Sequence, residues 1–197
     1  MAGSNTSTYD TTGKSLIWNP APAVREVIND VKVVIIKWKR VKGAARYQVY
    51  RRLGDGAWRK LGESVTKLIY KDKTAKSGKT YSYGVQALDK NGKAISGIGV
   101  DKTMERLTVP RLAKAIAKNG QVTFTWKKVA GADGYIVYRK EGKGKWKKIA
   151  SPASGRIIKC VDTTVKKGKT YCYTVQAISD TGSKSKYDTT GKKVTAK

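Results

Sequence analysis

Apolar side chains in this chain recur every second residue, in short bursts. Val122, Phe124 and Trp126 alternate with Thr123 and Thr125, and Val34, Ile36 and Trp38 occupy the same pattern earlier. Tyr135 with Val137, and Tyr47 with Val49, make a second pair of bursts. Tyr171, Tyr173, Val175 and Ala177 make a third, matched by Tyr81, Tyr83, Val85 and Ala87. A period of two places alternate side chains on one face of a strand. These sets therefore predict the inner faces of two packed sheets. Glycine-bearing turns such as GDG, KSGK, KNGK, GKGK and DTG separate them. About seven short strands in each copy of roughly 89 residues predict a β-sandwich. The segment RLAKAIAKNG has some helical spacing. Its counterpart AVREVINDV follows Pro20 and Pro22 and fits a first edge strand, so an all-β fold is expected.

The bursts repeat because the chain repeats. KWKRVKGAARYQVYRR from Lys37 aligns with TWKKVAGADGYIVYRK from Thr125, 88 residues on. WRKLG at Trp58 aligns with WKKIA at Trp146 at the same offset. SGKTYSYGVQALDKNGK from Ser77 aligns with KGKTYCYTVQAISDTGS from Lys167, now 90 residues on. The two extra residues fall between Trp146 and Asp162, near SPASG. YDTTGK at Tyr9–Lys14 recurs at Tyr187–Lys192, two periods later, and is read as the last strand of a preceding module. The expected division is a cloning scar with that remnant at 1–14, one module at 15–105 and a second at 106–197. The chain is then a slice of a longer protein. The connection MERLTVP, Met104–Pro110, is expected to be a short stiff linker. Leu16, Ile17 and Trp18 before the first module, and the outward Val33 and Ile35, are expected to meet neighbouring modules or partners.

Charge alters the picture of the surface rather than of the fold. Lys and Arg number 42 against 14 acids, a formal net charge of +28. From Arg106 onward there are 22 basic and 5 acidic residues, so the excess is spread through both copies and is no basic tail. Such a field suits wall polymers, acidic glycans or, non-specifically, nucleic acid; it also keeps a secreted surface soluble. The longest apolar run, Val33–Ile36, is strand length and far short of a membrane span.

The residues resemble fibronectin type III modules of bacterial extracellular or cell-surface proteins. The marks are Trp38 and Trp126 on the second strand, the GYIVYR-type third strand, Asp72 and Asp162 before a turn, and GKTYxYxVQA around Tyr81 and Tyr171. The resemblance implies tandem immunoglobulin-like sandwiches, with Tyr81 and Tyr171 as tyrosine corners bonded back to nearby backbone. It also implies spacer or adhesion modules whose partners are neighbouring modules of the same polypeptide, often beside glycoside hydrolases, proteases or wall-binding modules. No Arg-Gly-Asp tripeptide is present.

Catalytic chemistry is poorly served by this composition. Histidine is absent, which removes serine–histidine triads and histidine metal sites. Two cysteines cannot make a four-ligand zinc site, and the few acids are scattered on turns and strand ends. No catalytic residue, metal or cofactor is expected, and the chain reads as a non-enzyme. Cys160 belongs to an inner face and Cys172 to an outer one, a poor arrangement for a disulfide.

One hairpin in each copy interleaves aromatic and basic residues. The first copy has Tyr50, Arg51, Arg52, Trp58, Arg59 and Lys60; the second has Tyr138, Arg139, Lys140, Lys143, Lys145, Trp146, Lys147 and Lys148. With Tyr135 and Val137 inward, Tyr138 and Lys140 point outward. Two readings stay open. The rings stack on a sugar or base while the cations hold acid groups, or each Trp packs over the sheet edge under basic side chains. The leading functional expectation is therefore a non-catalytic spacer or adhesion unit. The alternative is a binding module for acidic polymers, or for another surface protein, through these hairpins.

Overall fold

The computed structural model describes residues 19–100 and 103–197. The proposed remnant at Tyr9–Lys14, together with Leu16, Ile17 and Trp18, lies outside the described residues. Every regular element among those described is a strand. In order they are β1 (Val24–Asn29), β2 (Val34–Trp38), β3 (Arg46–Leu53), β4 (Arg59–Lys60), β5 (Ile69–Asp72), β6 (Lys79–Leu88), β7 (Ala94–Val100) and β8 (Met104–Arg106). The second run is β9 (Leu112–Lys118), β10 (Gln121–Trp126), β11 (Gly134–Glu141), β12 (Lys147–Ala150), β13 (Lys159–Asp162), β14 (Thr170–Ile178) and β15 (Lys192–Thr195).

The same three-on-four plan is used twice. Sheet β1-β2-β5 opposes β4-β3-β6-β7, with β8 also on β6. Sheet β9-β10-β13 opposes β12-β11-β14-β15. All ladders between these strands are antiparallel, so hairpins and loops suffice to connect them. RLAKAIAKNG forms β9 because its apolar residues face alternate sides of a ladder with β10, Ala115 across from Phe124 and Ala117 across from Val122.

Each pair of sheets encloses its own core. In the first, Val34, Ile36 and Trp38 meet Tyr47, Val49, Tyr83, Val85 and Ala87. In the second, Val122, Phe124 and Trp126 meet Tyr135, Val137, Tyr173, Val175 and Ala177. These are the period-two sets read from the sequence. The aromatic rings interlock, with Phe124 stacked on Tyr173 at 4.6 Å and Trp126 edge-on to Tyr135 at 5.2 Å.

The expected linker Met104–Pro110 is not a linker along its length. Met104–Arg106 is β8, paired with Lys79–Tyr81, and Met104 packs on the first core. The next residue, Leu107, is fully buried in the second core. An apolar residue on each side of Arg106 finds a different core, so the chain passes from one sandwich to the next with no free segment between them.

Candidate functional site

Tyr81 and Tyr171 are tyrosine corners. The Lys76 N–H donates to Tyr81 Oη at 3.1 Å, and the Lys166 N–H to Tyr171 Oη at 3.0 Å. Asp72 and Asp162 do more than fix a turn. Asp162 Oδ1 accepts from the Thr164 N–H at 3.0 Å and its hydroxyl at 2.8 Å. Asp162 Oδ2 accepts from Arg139 at 2.7 Å and from the buried Tyr173 hydroxyl at 2.8 Å. Asp72 repeats this with Thr74, Arg51 and Tyr83. Burial alone would raise both carboxyl pKa values; these hydrogen bonds outweigh it and hold them below the ordinary aspartate range. Burial and the adjacent carboxylate push the Tyr83 and Tyr173 hydroxyls upward.

That network changes the hairpin reading. Arg51 and Arg139 turn into the sandwich, each over a tyrosine-corner ring at 4.6 and 4.9 Å, and are not part of an outward basic face. Register divides the rest. Lys60 lies across from Tyr50 and Lys148 across from Tyr138, whereas Arg59 lies across from Arg51 and Lys147 across from Arg139. Directly paired residues share a face. Arg59 and Lys147 therefore belong to the opposite side from the outward tyrosines. Arg51, Arg59 and Lys60 line a recess of about 510 Å³ beside Leu53 and Tyr81. Lys145 is exposed in the turn before β12.

Neither tryptophan ring is open. Trp58 lies beneath Arg52, whose guanidinium carbon is 5.0 Å from the ring centre, and above Gly84. Trp146 lies beneath the Lys140 ammonium at 4.8 Å. Its other neighbour is Gly191, where a Cβ would come within 2.7 Å of Trp146 Cη2. The geometry thus favours rings packed over the sheet edge and capped by cations. Tyr187 is the residue that sequence reading missed here. It stacks on Tyr138 at 5.1 Å and meets Trp146 edge-on at 6.3 Å. Its signal was the recurrence of YDTTGK, which was read only as a repeat mark.

The other organised polar site is the junction. Arg106 is 2% exposed. Its Nη1 donates to the Asn29 side-chain oxygen and to the Asp30 carbonyl at 2.6 Å. Asn29 Nδ2 donates to the Leu107 carbonyl at 3.1 Å and the Lys184 carbonyl at 3.4 Å. Ser77 Oγ donates to the Ala130 carbonyl at 2.9 Å and accepts the Thr108 N–H at 3.0 Å. Thr181 donates to Glu105 at 2.9 Å. Gly78 and Gly131, both at positive φ, touch so closely that a Cβ on Gly131 would lie 2.4 Å from Gly78 Cα. Val33 and Ile35 make none of these bonds; Ile35 sits between Ile28 and Lys71 on the outer side of the first three-stranded sheet. The second module carries Ala117, Lys167 and Ala196 where the first has Asn29, Ser77 and Arg106.

Cys160 packs on the second core, Cys172 lies across from Lys140 and Lys193 on the outer ladder, and both are free thiols. Among the described residues, no three of Cys, Asp, Glu or His cluster as metal ligands. No helix among them is long and apolar enough to cross a membrane.

The described residues form two tandem antiparallel β-sandwiches. A family model described as the C-terminal domain of GH85 endohexosaminidases matches residues 30–99, within the first module. An amylopullulanase of Thermoanaerobacterium saccharolyticum is 32% identical over 114 residues, 54% of this chain and 9% of that protein. An amylopullulanase of Thermoanaerobacter thermohydrosulfuricus is 34% identical over 122 residues, 56% of this chain and 8% of that protein. The chain spans less than a tenth of the length of these curated relatives. Among solved structures, a two fibronectin type III domain segment from chicken tenascin aligns with 90% of this chain and 99% of its own, at 12% identity and a TM-score of 0.47.

Proposed function

We propose that this chain is a non-catalytic, semi-rigid spacer within a larger secreted or surface-anchored bacterial protein, holding a carbohydrate-active domain at a set distance. The proposed division is one module at 15–105 and another at 106–197, with 1–14 a cloning scar followed by the last strand of a preceding module. The observation that carries the reading is the junction. Asn29, held by the buried Arg106, and Ser77 bridge the two sandwiches, and no free linker residue separates β8 from Leu107. A hinge would be served by Gly/Ser-rich chain; this connection is interlocked. The match to the C-terminal domain of GH85 endohexosaminidases, and to short stretches of two amylopullulanases, supports a place beside such enzymes.

Small-angle scattering tests the spacer. The native chain should fit a single extended arrangement of two bodies. The double variant Asn29→Ala/Ser77→Ala should broaden the distribution of intermodule distances while both modules stay folded by circular dichroism. A native chain that already scatters as freely hinged modules overturns the reading. So does release of reducing sugar from pullulan or a chitin-derived oligosaccharide by the purified chain.

A further inference from the structure

A cleft of about 580 Å³ opens at the junction, within the size range of small-ligand sites. Val31 and Lys32, in the turn between β1 and β2, supply one wall. The second module supplies the other through Val109, Pro110 and Arg111, with Asp188, Gly191 and Lys192. Val31 is 43% exposed, an uncovered apolar side chain beside this opening. Three cations and one carboxylate therefore rim a trough of mixed polar and apolar lining that neither module forms alone. Gly191 also underlies Trp146, so the edge of the Tyr138–Tyr187–Trp146 cluster meets the end of the trough.

Each feature narrows the ligand. Lys32, Arg111 and Lys192 call for acid groups. Asp188 would repel a ligand that is anionic throughout, yet it accepts hydrogen bonds from hydroxyls. One of its oxygens already takes the Thr190 N–H at 2.9 Å, which leaves the other for a ligand. Val31 and Val109 offer an apolar surface for the C–H face of a ring, with Pro110 buried behind them. The capped tryptophans give nucleic-acid bases no open stacking platform. A molecule with spaced acid groups, several hydroxyls and a flat C–H face satisfies all four.

We propose that this cleft binds an anionic oligosaccharide, with its acid groups on Lys32, Arg111 and Lys192, hydroxyls on Asp188 and a sugar face on Val31 and Val109. The inference rests on the fixed junction of the spacer reading, because Lys32 and Arg111 come from different modules. It places binding between the modules instead of on the hairpin of each repeat.

Isothermal titration of the whole chain with a galacturonic acid tetrasaccharide, in about 150 mM salt, tests it. Arg111→Ala and Lys32→Ala should each weaken binding by about fivefold or more, a loss expected when a charged contact in a bound complex is removed. Lys60→Ala and Lys148→Ala remove the same charge elsewhere and should change affinity by less than about twofold. Asp188→Asn should weaken binding, since it loses a charged acceptor; simple ion exchange predicts that it strengthens binding. Maltotetraose, which has the hydroxyls without the acids, should bind far more weakly. The proposal is overturned by absence of binding, by equal losses at all four basic positions, by tighter binding in Asp188→Asn, or by a single-stranded DNA decamer outcompeting the sugar. If scattering shows a fixed junction and the sugar fails to bind, the cleft inference falls alone. If the junction is free and binding ignores Lys32, both readings fall.

Discussion

Replacing Asp162 by Ala should cripple the second module and leave the first nearly untouched. Asp162 is 4% exposed and Tyr173 is fully buried, so the Tyr173 hydroxyl would keep no acceptor in the core. A stranded buried hydroxyl costs about 1–3 kcal/mol. Breaking a buried ion pair costs about 3–5 kcal/mol when the surviving charge is sealed off. Here the Arg139 side chain is 22% exposed and regains some water, which discounts that figure. The two effects together come to about 3–5 kcal/mol. A domain of this size loses roughly 4–8 °C of Tm per kcal/mol, so a fall on the order of 20 °C is expected. Asp72 has its own Arg51, Thr74 and Tyr83, and the first module's transition serves as the internal control. Differential scanning calorimetry should show one transition moving and the other holding. In a Tyr173→Phe background the Asp162→Ala loss should shrink by roughly 1 kcal/mol or more, because no hydroxyl is stranded. A loss below about 1 kcal/mol, or an unchanged loss in that background, would falsify the account of Asp162 as the keystone of a buried network.

Acid should expose the same groups. Both folded-state carboxyl pKa values lie below the ordinary 3.8, so the unfolded chain takes up protons first as pH falls. Their stabilisation is complete well above 3.8 and is lost as pH drops through 3.8 toward the folded values. Urea unfolding from pH 7 to 2.5 should show this fall, and Asp162→Asn should flatten it. Tyr171→Phe deletes the acceptor of the Lys166 N–H and should cost about 1–3 kcal/mol in the second module by chemical denaturation. Trp146→Ala should cost about 1–2 kcal/mol, since the half-buried ring packs on Gly191 under Lys140; unchanged stability would return the ring to a ligand-stacking role. Two thiols per chain should react with a thiol reagent under non-reducing denaturing conditions, and none would show a disulfide.

Strand faces were legible because side-chain alternation is a local property. Val122, Phe124 and Trp126 could face only one way together, and the repeat gave a second independent copy of the same pattern. The place of Tyr171 was legible from the motif around it, whereas Asp162 was legible only as a turn residue and not as the acceptor of Arg139 and Tyr173. Arg139 stands two residues after the inward Val137 yet groups by charge with the basic hairpin, and its partner Asp162 lies 23 residues away. Only the packing of two sheets decided between them. Tyr187 shows the same limit, since it meets Tyr138 and Trp146 through strand neighbours that no local pattern specifies.

The sequence by itself determined the all-β class, the two copies, the inward residues and the basic surface, because period, repetition and composition are carried by neighbouring residues or simple counts. Tertiary structure decided the junction and everything built on it. Asn29 reaches Leu107 across 78 residues, and Ser77 reaches Ala130 across 53. Which polar groups find one another over such separations depends on how one sandwich abuts the next, and that orientation is set by Met104 and Leu107 entering different cores.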